Sequence, residues 1–172
     1  MIDKINIVRI IKDHISSLID YRTNRYRYGD FLLFFGFPLL ITFVLIHFNM
    51  LLSEKIISIL ITAFSIFTAL LFNLLILIYD IIQKNKNKKD TNKLKTRFIK
   101  EIYANISFSV LISILLIFFL LFICFIKTIQ TKILIIILQS IVYYLTILFL
   151  LTLLMILKRV HVLLSKEVGG HA

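Results

Sequence analysis

The stretch that decides the fold is IYANISFSVLISILLIFFLLFICFI, Ile102–Ile126, 25 residues without one Asp, Glu, Lys or Arg. At ~1.5 Å per residue it is roughly 37 Å long as a helix, enough to cross a ~30 Å hydrocarbon core with tilt. Three further uncharged stretches match it: Phe31–Ser53, Ile56–Tyr79 and Ile133–Leu157, of 23, 24 and 25 residues. Backbone in lipid must bond to itself, and a β-barrel would show short alternating strands, so all four read as helices. The chain has 172 residues, 60% of them hydrophobic, with 20 Lys+Arg against 9 Asp+Glu and a net charge of +11. An apolar excess beside a large charge imbalance requires the two residue classes to be segregated. That pattern excludes an ordinary soluble enzyme, a disulfide scaffold and a disordered chain.

The expected architecture is all-α, an integral membrane four-helix bundle with an N-terminal amphipathic helix. Residues 1–28 form that helix and an interfacial anchor. Residues 29–172 form the four-span domain, with spans at about 31–53, 56–79, 102–126 and 133–157, a loop 80–101 and a tail 158–172. Ser53-Glu54-Lys55 and Lys127–Lys132 are short connections, so spans 1–2 and 3–4 are expected to pair as antiparallel hairpins. Seventeen cations lie in the N-terminal segment, the long loop and the tail, and only Lys55, Lys127 and Lys132 in the short loops. By the positive-inside rule both termini and the long loop are then cytoplasmic, in a bacterial inner membrane. No cleavable signal precedes Phe31, and the first span is expected to act as the targeting signal. The single Cys124 sits within the third span, where it reads as a small packing residue and leaves no disulfide.

Residues Asp3–Tyr21 are amphipathic. Ile5, Val8, Ile11, Ile15 and Leu18 recur at helical spacing, opposite Lys4, Arg9, Lys12, Asp13, Ser16 and Asp20. Such a helix lies on the inner leaflet or packs under the bundle. Tyr21–Tyr28 interleaves tyrosines with Arg22, Arg25 and Arg27, the signature of a headgroup belt with Arg on lipid phosphate. Stacking on nucleic-acid bases has no other support, so direct nucleic-acid contact is not expected. Asp30 is placed to cap the first span. In the long loop Lys86, Lys88, Lys89 and Lys93 are candidates for anionic lipid or an acidic partner protein. Leu94, Phe98 and Ile102 start the third span early, near Thr91. Val160, Leu163, Leu164 and Val168 extend the fourth as far as Gly169-Gly170.

Within the spans the polar residues are uncharged and aligned. Ser58, Thr62, Ser65, Ala69 and Asn73 share a face of the second, Asn105, Ser109 and Ser113 a face of the third, and Gln139, Tyr143 and Thr146 a face of the fourth. They read as helix–helix packing, with a pore lining as the functional alternative. Asn73 and Asn105 are placed to pair, and Gln139 looks for His47 or Asn49. Pro38 is expected to kink the first span. Coupled transport usually needs a membrane-embedded charge, and these spans hold none.

Catalytic motifs are missing: there is no nucleophile elbow, phosphate loop, cysteine pair or paired carboxylate. His14, His47, His161 and His171 form no ligand set, so neither cofactor nor metal is expected. Arg9 and His14 match the Arg-x4-His spacing of HEPN-type ribonucleases, but on a short surface helix without the HEPN bundle.

In size, short outer loops, uncharged spans and basic inner elements, the chain resembles the small four-span membrane proteins of bacterial antiphage systems. The membrane subunit of Kiwa and the membrane effectors of CBASS, retron and CRISPR-linked systems are of this kind. The resemblance implies a non-enzymatic homo-oligomer that senses or perturbs the inner membrane with a cytosolic protein partner. An immunity protein against a pore-forming bacteriocin and a transporter accessory subunit are the alternatives.

Overall fold

The computed structural model describes residues 6–20, 25–26, 29, 32–86, 93–126 and 132–169. Its elements in order are α1 (Ile7–Ser17), the strands β1 (Ile19–Asp20) and β2 (Arg25–Tyr26), a π-turn (Leu32–Gly36) that runs into α2 (Phe37–His47), and three long helices. These are α3 (Glu54–Lys86), α4 (Lys93–Ile126) and α5 (Lys132–Gly169), of 33, 34 and 38 residues. The all-α expectation holds, apart from one antiparallel pair in which Ile19 faces Tyr26 and Asp20 faces Arg25.

Among the described residues three helices are long and apolar enough to cross a membrane, within Glu54–Lys84, Phe98–Ile126 and Lys132–Val162. The expected span 31–53 is not a fourth of that length. Its helical part is five residues of π-turn and eleven of α-helix, ending at His47. The cause is a Schellman turn. Asn49 adopts φ 50°, its N–H bonds to the Ile46 carbonyl at 2.9 Å, and the Met50 N–H bonds to the Leu45 carbonyl at 3.0 Å. These are the bonds that close a helix with a left-handed residue just past its cap. Ser53 then caps α3, its Oγ accepting from the Ile56 N–H at 3.4 Å. Pro38 stands second in α2, directly after the π-turn, at the point where the helical bonding changes from π to α.

The long helices pack along seams of alternating three- and four-residue spacing. On α4 one buried seam runs through Ile99, Ile102, Ile106, Ser109, Ser113, Leu116, Leu120 and Ile123. On α5 one runs through Leu138, Val142, Phe149, Thr152 and Ile156, with half-buried Leu145 between. On α3, Ile57, Phe64, Leu71 and Ile78 recur every seventh residue. This is the spacing of antiparallel helices crossing at a shallow left-handed angle. Phe64 and Phe67 of α3 meet Phe149 of α5 edge to face, with centroids 5.4 and 5.7 Å apart.

The main contacts run in one series, α3 on α4, α4 on α5 and α5 on α2, with α1 against α4. The expected first hairpin is therefore corrected: α2 lies on α5 and not on α3, its neighbour in sequence. The link Phe48–Ser53 is long enough to let it swing across, and the Tyr143 hydroxyl of α5 holds that link by donating to the Met50 carbonyl at 2.5 Å.

Candidate functional site

Asn105, near the start of the α4 apolar segment, is fully buried. An amide there needs partners, since an unpaired buried polar group costs about 1–3 kcal/mol. The partners come from α1. His14 Nδ1 lies 2.9 Å from Asn105 Oδ1, and Ser17 Oγ reaches the same oxygen at 2.8 Å and the His14 carbonyl at 2.6 Å. Facing an amide oxygen, the imidazole carries its proton on Nδ1. Its ring stacks on Phe108 at 3.8 Å between centroids and 12° between planes, and meets the edge of Phe34 at 6.1 Å. Burial, opposed in part by the Asn105 bond and aided by the nearby Arg159 charge, lowers the His14 pKa from 6.5 to about 4. The ring is neutral at physiological pH.

Arg159 of α5 closes the cluster. Its guanidinium donates to the Ser17 carbonyl at 2.5 Å and pairs with Glu101 of α4 at 3.3 Å. Ser17 is the last residue of α1, so this cation sits on the negative end of the helix dipole. Asn6 serves the other end, its side chain accepting from the Arg9 N–H at 3.0 Å. A capped helix is thus bonded through two polar side chains and one carbonyl to α4 and α5.

Of the two expected supports for α1, bundle and leaflet, the structure shows contact with the bundle, and that contact is not made by the Val8–Ile11 part of the apolar stripe. The docked edge is Ile10, His14 and Ser17, while Ile7, Val8 and Ile11 are exposed. The ribonuclease spacing fails on the same fact. Arg9 is solvent-exposed and 4.0 Å from Asp13, whereas His14 points into the protein.

The other expected site residues divide by face. Ser58, Thr62, Ser65 and Asn73 are exposed on α3, off the seam: Ser58 and Ser65 stand one residue, about 100°, past Ile57 and Phe64, and Asn73 two residues, about 200°, past Leu71. Thr62 and Ser65 bond back to the carbonyls of Ser58 and Ile61. Asn73 therefore does not meet Asn105. The residue of α3 that does bond to α4 is Thr68, whose hydroxyl donates to Ser113 Oγ at 2.8 Å. Ser109 is buried, and its Oγ, like Asn105 Nδ2, has no protein partner. Gln139 is buried on α5 beside Ile46, Asn49, Met50 and Tyr143, with Oε1 unpaired, and Thr146 Oγ1 is likewise buried and unpaired. His47 stacks on Phe43 of its own helix, with centroids 6.3 Å apart, and does not serve Gln139. Cys124 is exposed and not a packing residue.

Of the cationic candidates, Arg22, Arg27, Lys88 and Lys89 lie outside the described residues, as does Asp30. Arg25 stands in β2, Lys86 closes α3 and Lys93 opens α4. Among the described residues no three His, Cys, Asp or Glu gather as a metal site would require. Neither His14 nor Ser17 suggests itself in sequence as a docking residue. The available signal was a histidine and a serine three apart on the edge of an apolar stripe, with an amide near the start of a span to receive them. Compared with protein families, curated proteins and solved structures, the chain matches none.

Proposed function

We propose that this is a non-enzymatic protein of a bacterial inner membrane that senses or perturbs the bilayer together with a cytosolic protein partner, in defence against phage. The observation that carries the reading is the docked α1. A separate amphipathic helix is held by a small polar cluster at the end of the helix array where α4 begins and α5 emerges. Chemistry is not what the cluster is arranged for. Its histidine is neutral and its hydroxyl and imidazole are both spent on the oxygen of one amide, so what it can do is hold or release a helix.

In this reading four segments cross the bilayer. The π-turn and α2 extend about 24 Å at ~1.5 Å per residue, and the link Phe48–Ser53 completes the passage. The basic segments 1–28, 80–101 and 158–172 face the cytoplasm, on anionic lipid and the partner. The outward Ser58, Thr62, Ser65 and Asn73 of α3 meet a second copy, since small residues let helices approach and an amide in lipid gains from a like partner.

The test is infection of cells carrying the gene with its chromosomal neighbours, comparing wild type with Lys86→Glu/Lys88→Glu/Lys89→Glu/Lys93→Glu. Loss of protection with normal membrane insertion is expected. Protection that survives the charge reversal removes the cytosolic partner from the reading. The exposed polar stripe on α3 also favours a second function, an immunity protein that blocks a pore-forming bacteriocin through its span surfaces. That function predicts survival against one toxin, lost in Asn73→Leu and untouched by the loop variant.

A further inference from the structure

The surface of α1 divides into three arcs, and only two of them are explained by the bonds above. At 100° per residue, Ile10, His14 and Ser17 fall together and face α4. Arg9, Lys12, Asp13 and Ser16 form a second arc, all exposed. Val8, Ile11 and half-buried Ile15 form a third, about 120° from each of the others. Val8 is 73% exposed and Ile11 39%, so the described residues leave Val8 open and cover Ile11 only in part.

What stands around this third arc follows from register. The Thr68–Ser113 bond sets α3 antiparallel against α4, which brings Ile76 level with Asn105. The Arg159–Glu101 pair does the same for α5 and places Met155 near that level. There the outward residues of the array are Ile76 and Leu77 on α3 and Leu154 and Leu157 on α5, all exposed and all apolar. The open arc of α1 thus lies at the level of a belt of apolar side chains. Lys12 stands at its border, one turn after Val8, where a flexible cation reaches lipid phosphate while its stem stays on apolar surface.

We infer that α1 lies in the membrane plane at the boundary of the inner leaflet. Its Val8–Ile11–Ile15 arc is among the acyl chains, its His14–Ser17 edge is on the protein, and its charged arc is in water. Both surfaces that sequence alone offers as alternatives, bilayer and bundle, are then occupied at once. The inference rests on the membrane reading above and deepens it: α1 is the element through which lipid packing acts on the Asn105 cluster. Lipid that packs tightly expels the apolar arc and pulls against the two side-chain bonds; loosely packed lipid seats it.

The chain has no tryptophan, so one substitution makes a clean reporter. Val8→Trp, repeated as Ile11→Trp, is placed in nanodiscs containing phosphatidylglycerol, beside Ser16→Trp on the charged arc and Ile114→Trp on the exposed belt of α4. Brominated acyl chains should remove most of the emission of Val8→Trp and Ile114→Trp and leave Ser16→Trp bright, with acrylamide giving the reverse. If Ile114→Trp is quenched by bromine and Val8→Trp by acrylamide, α1 is in water, and the inference fails while the membrane reading stands. Protection of Val8→Trp and Ile11→Trp from both quenchers means that protein covers the arc, and also overturns it. Failure of bromine at Ile114→Trp defeats the membrane reading itself, and the inference with it.

Discussion

Burial, an amide bond and a nearby guanidinium act together on the His14 imidazole, and their sum has a sign that can be followed through pH. With α1 undocked the ring has its ordinary pKa of 6.5, and docked it is lowered to about 4. The docked form therefore binds fewer protons. Docking is at full strength above pH 6.5, weakens about tenfold per unit as pH falls from 6.5 to 4, and changes little below. Hydrogen exchange of the α1 amides across this range, corrected for the intrinsic rate, should trace that profile, and His14→Gln should flatten it. An unchanged profile in His14→Gln would mean that another group titrates. Asn105→Leu removes the common acceptor and leaves the buried His14 Nδ1–H unmatched, while Ser17 Oγ keeps the His14 carbonyl, a loss of about 1–3 kcal/mol. Thermal unfolding in detergent would show it as a lowered Tm, with α1 cleaved first in limited proteolysis. None of this was visible in the residues, because a histidine within a charged-looking helix announces nothing about which way it points.

At the scale of elements, the turn between α2 and α3 shows how one backbone angle shortens a span. The uncharged run 31–53 has the length of a full crossing, and composition offers no reason to stop it at His47. Asn49 stops it, since Asn is among the few residues that enter the left-handed region at small cost. Asn49→Gly should hold or slightly raise the Tm, whereas Asn49→Val should lower stability by about 1–2 kcal/mol. Equal stability for both variants would show that the turn is not what closes α2. Pro38 marks the other irregularity of this run: it stands where the π-turn Leu32–Gly36 gives way to α2, as a helix-breaking proline would.

For the molecule as a whole, the arrangement of helices was the least legible feature. In water a helix advertises its buried face by being apolar there and polar elsewhere. In an array bounded by lipid both faces are apolar, so the three-four seams of α4 and α5 are hidden among identical residue types. The polar stripe of α3 looked like a packing face and proves to be turned outward; Thr68, outside that stripe, makes the bond to α4. In a Cys124→Ser background, Thr68→Cys with Ser113→Cys should oxidise to an intramolecular disulfide, since hydroxyl oxygens 2.8 Å apart put the β-carbons within bridging range. Ser65→Cys with Ser113→Cys should not. Gel mobility before and after reduction reads both, and a bridge in the second pair alone would reverse the face assigned to α3.

Charge distribution and hydropathy by themselves determined that the chain is helical, that it carries uncharged runs of membrane-crossing length, four by that measure where the structure keeps three as long helices, and where the cations cluster. Each of these follows from the cost of placing charge or unbonded backbone in hydrocarbon, which acts on residues one at a time. Which helix lies on which, which face of α3 looks outward and where His14 goes depended on tertiary structure. Those outcomes turn on shape and on the pairing of a few buried polar atoms, and such pairings join residues 14, 17, 105 and 159 that only folding brings together.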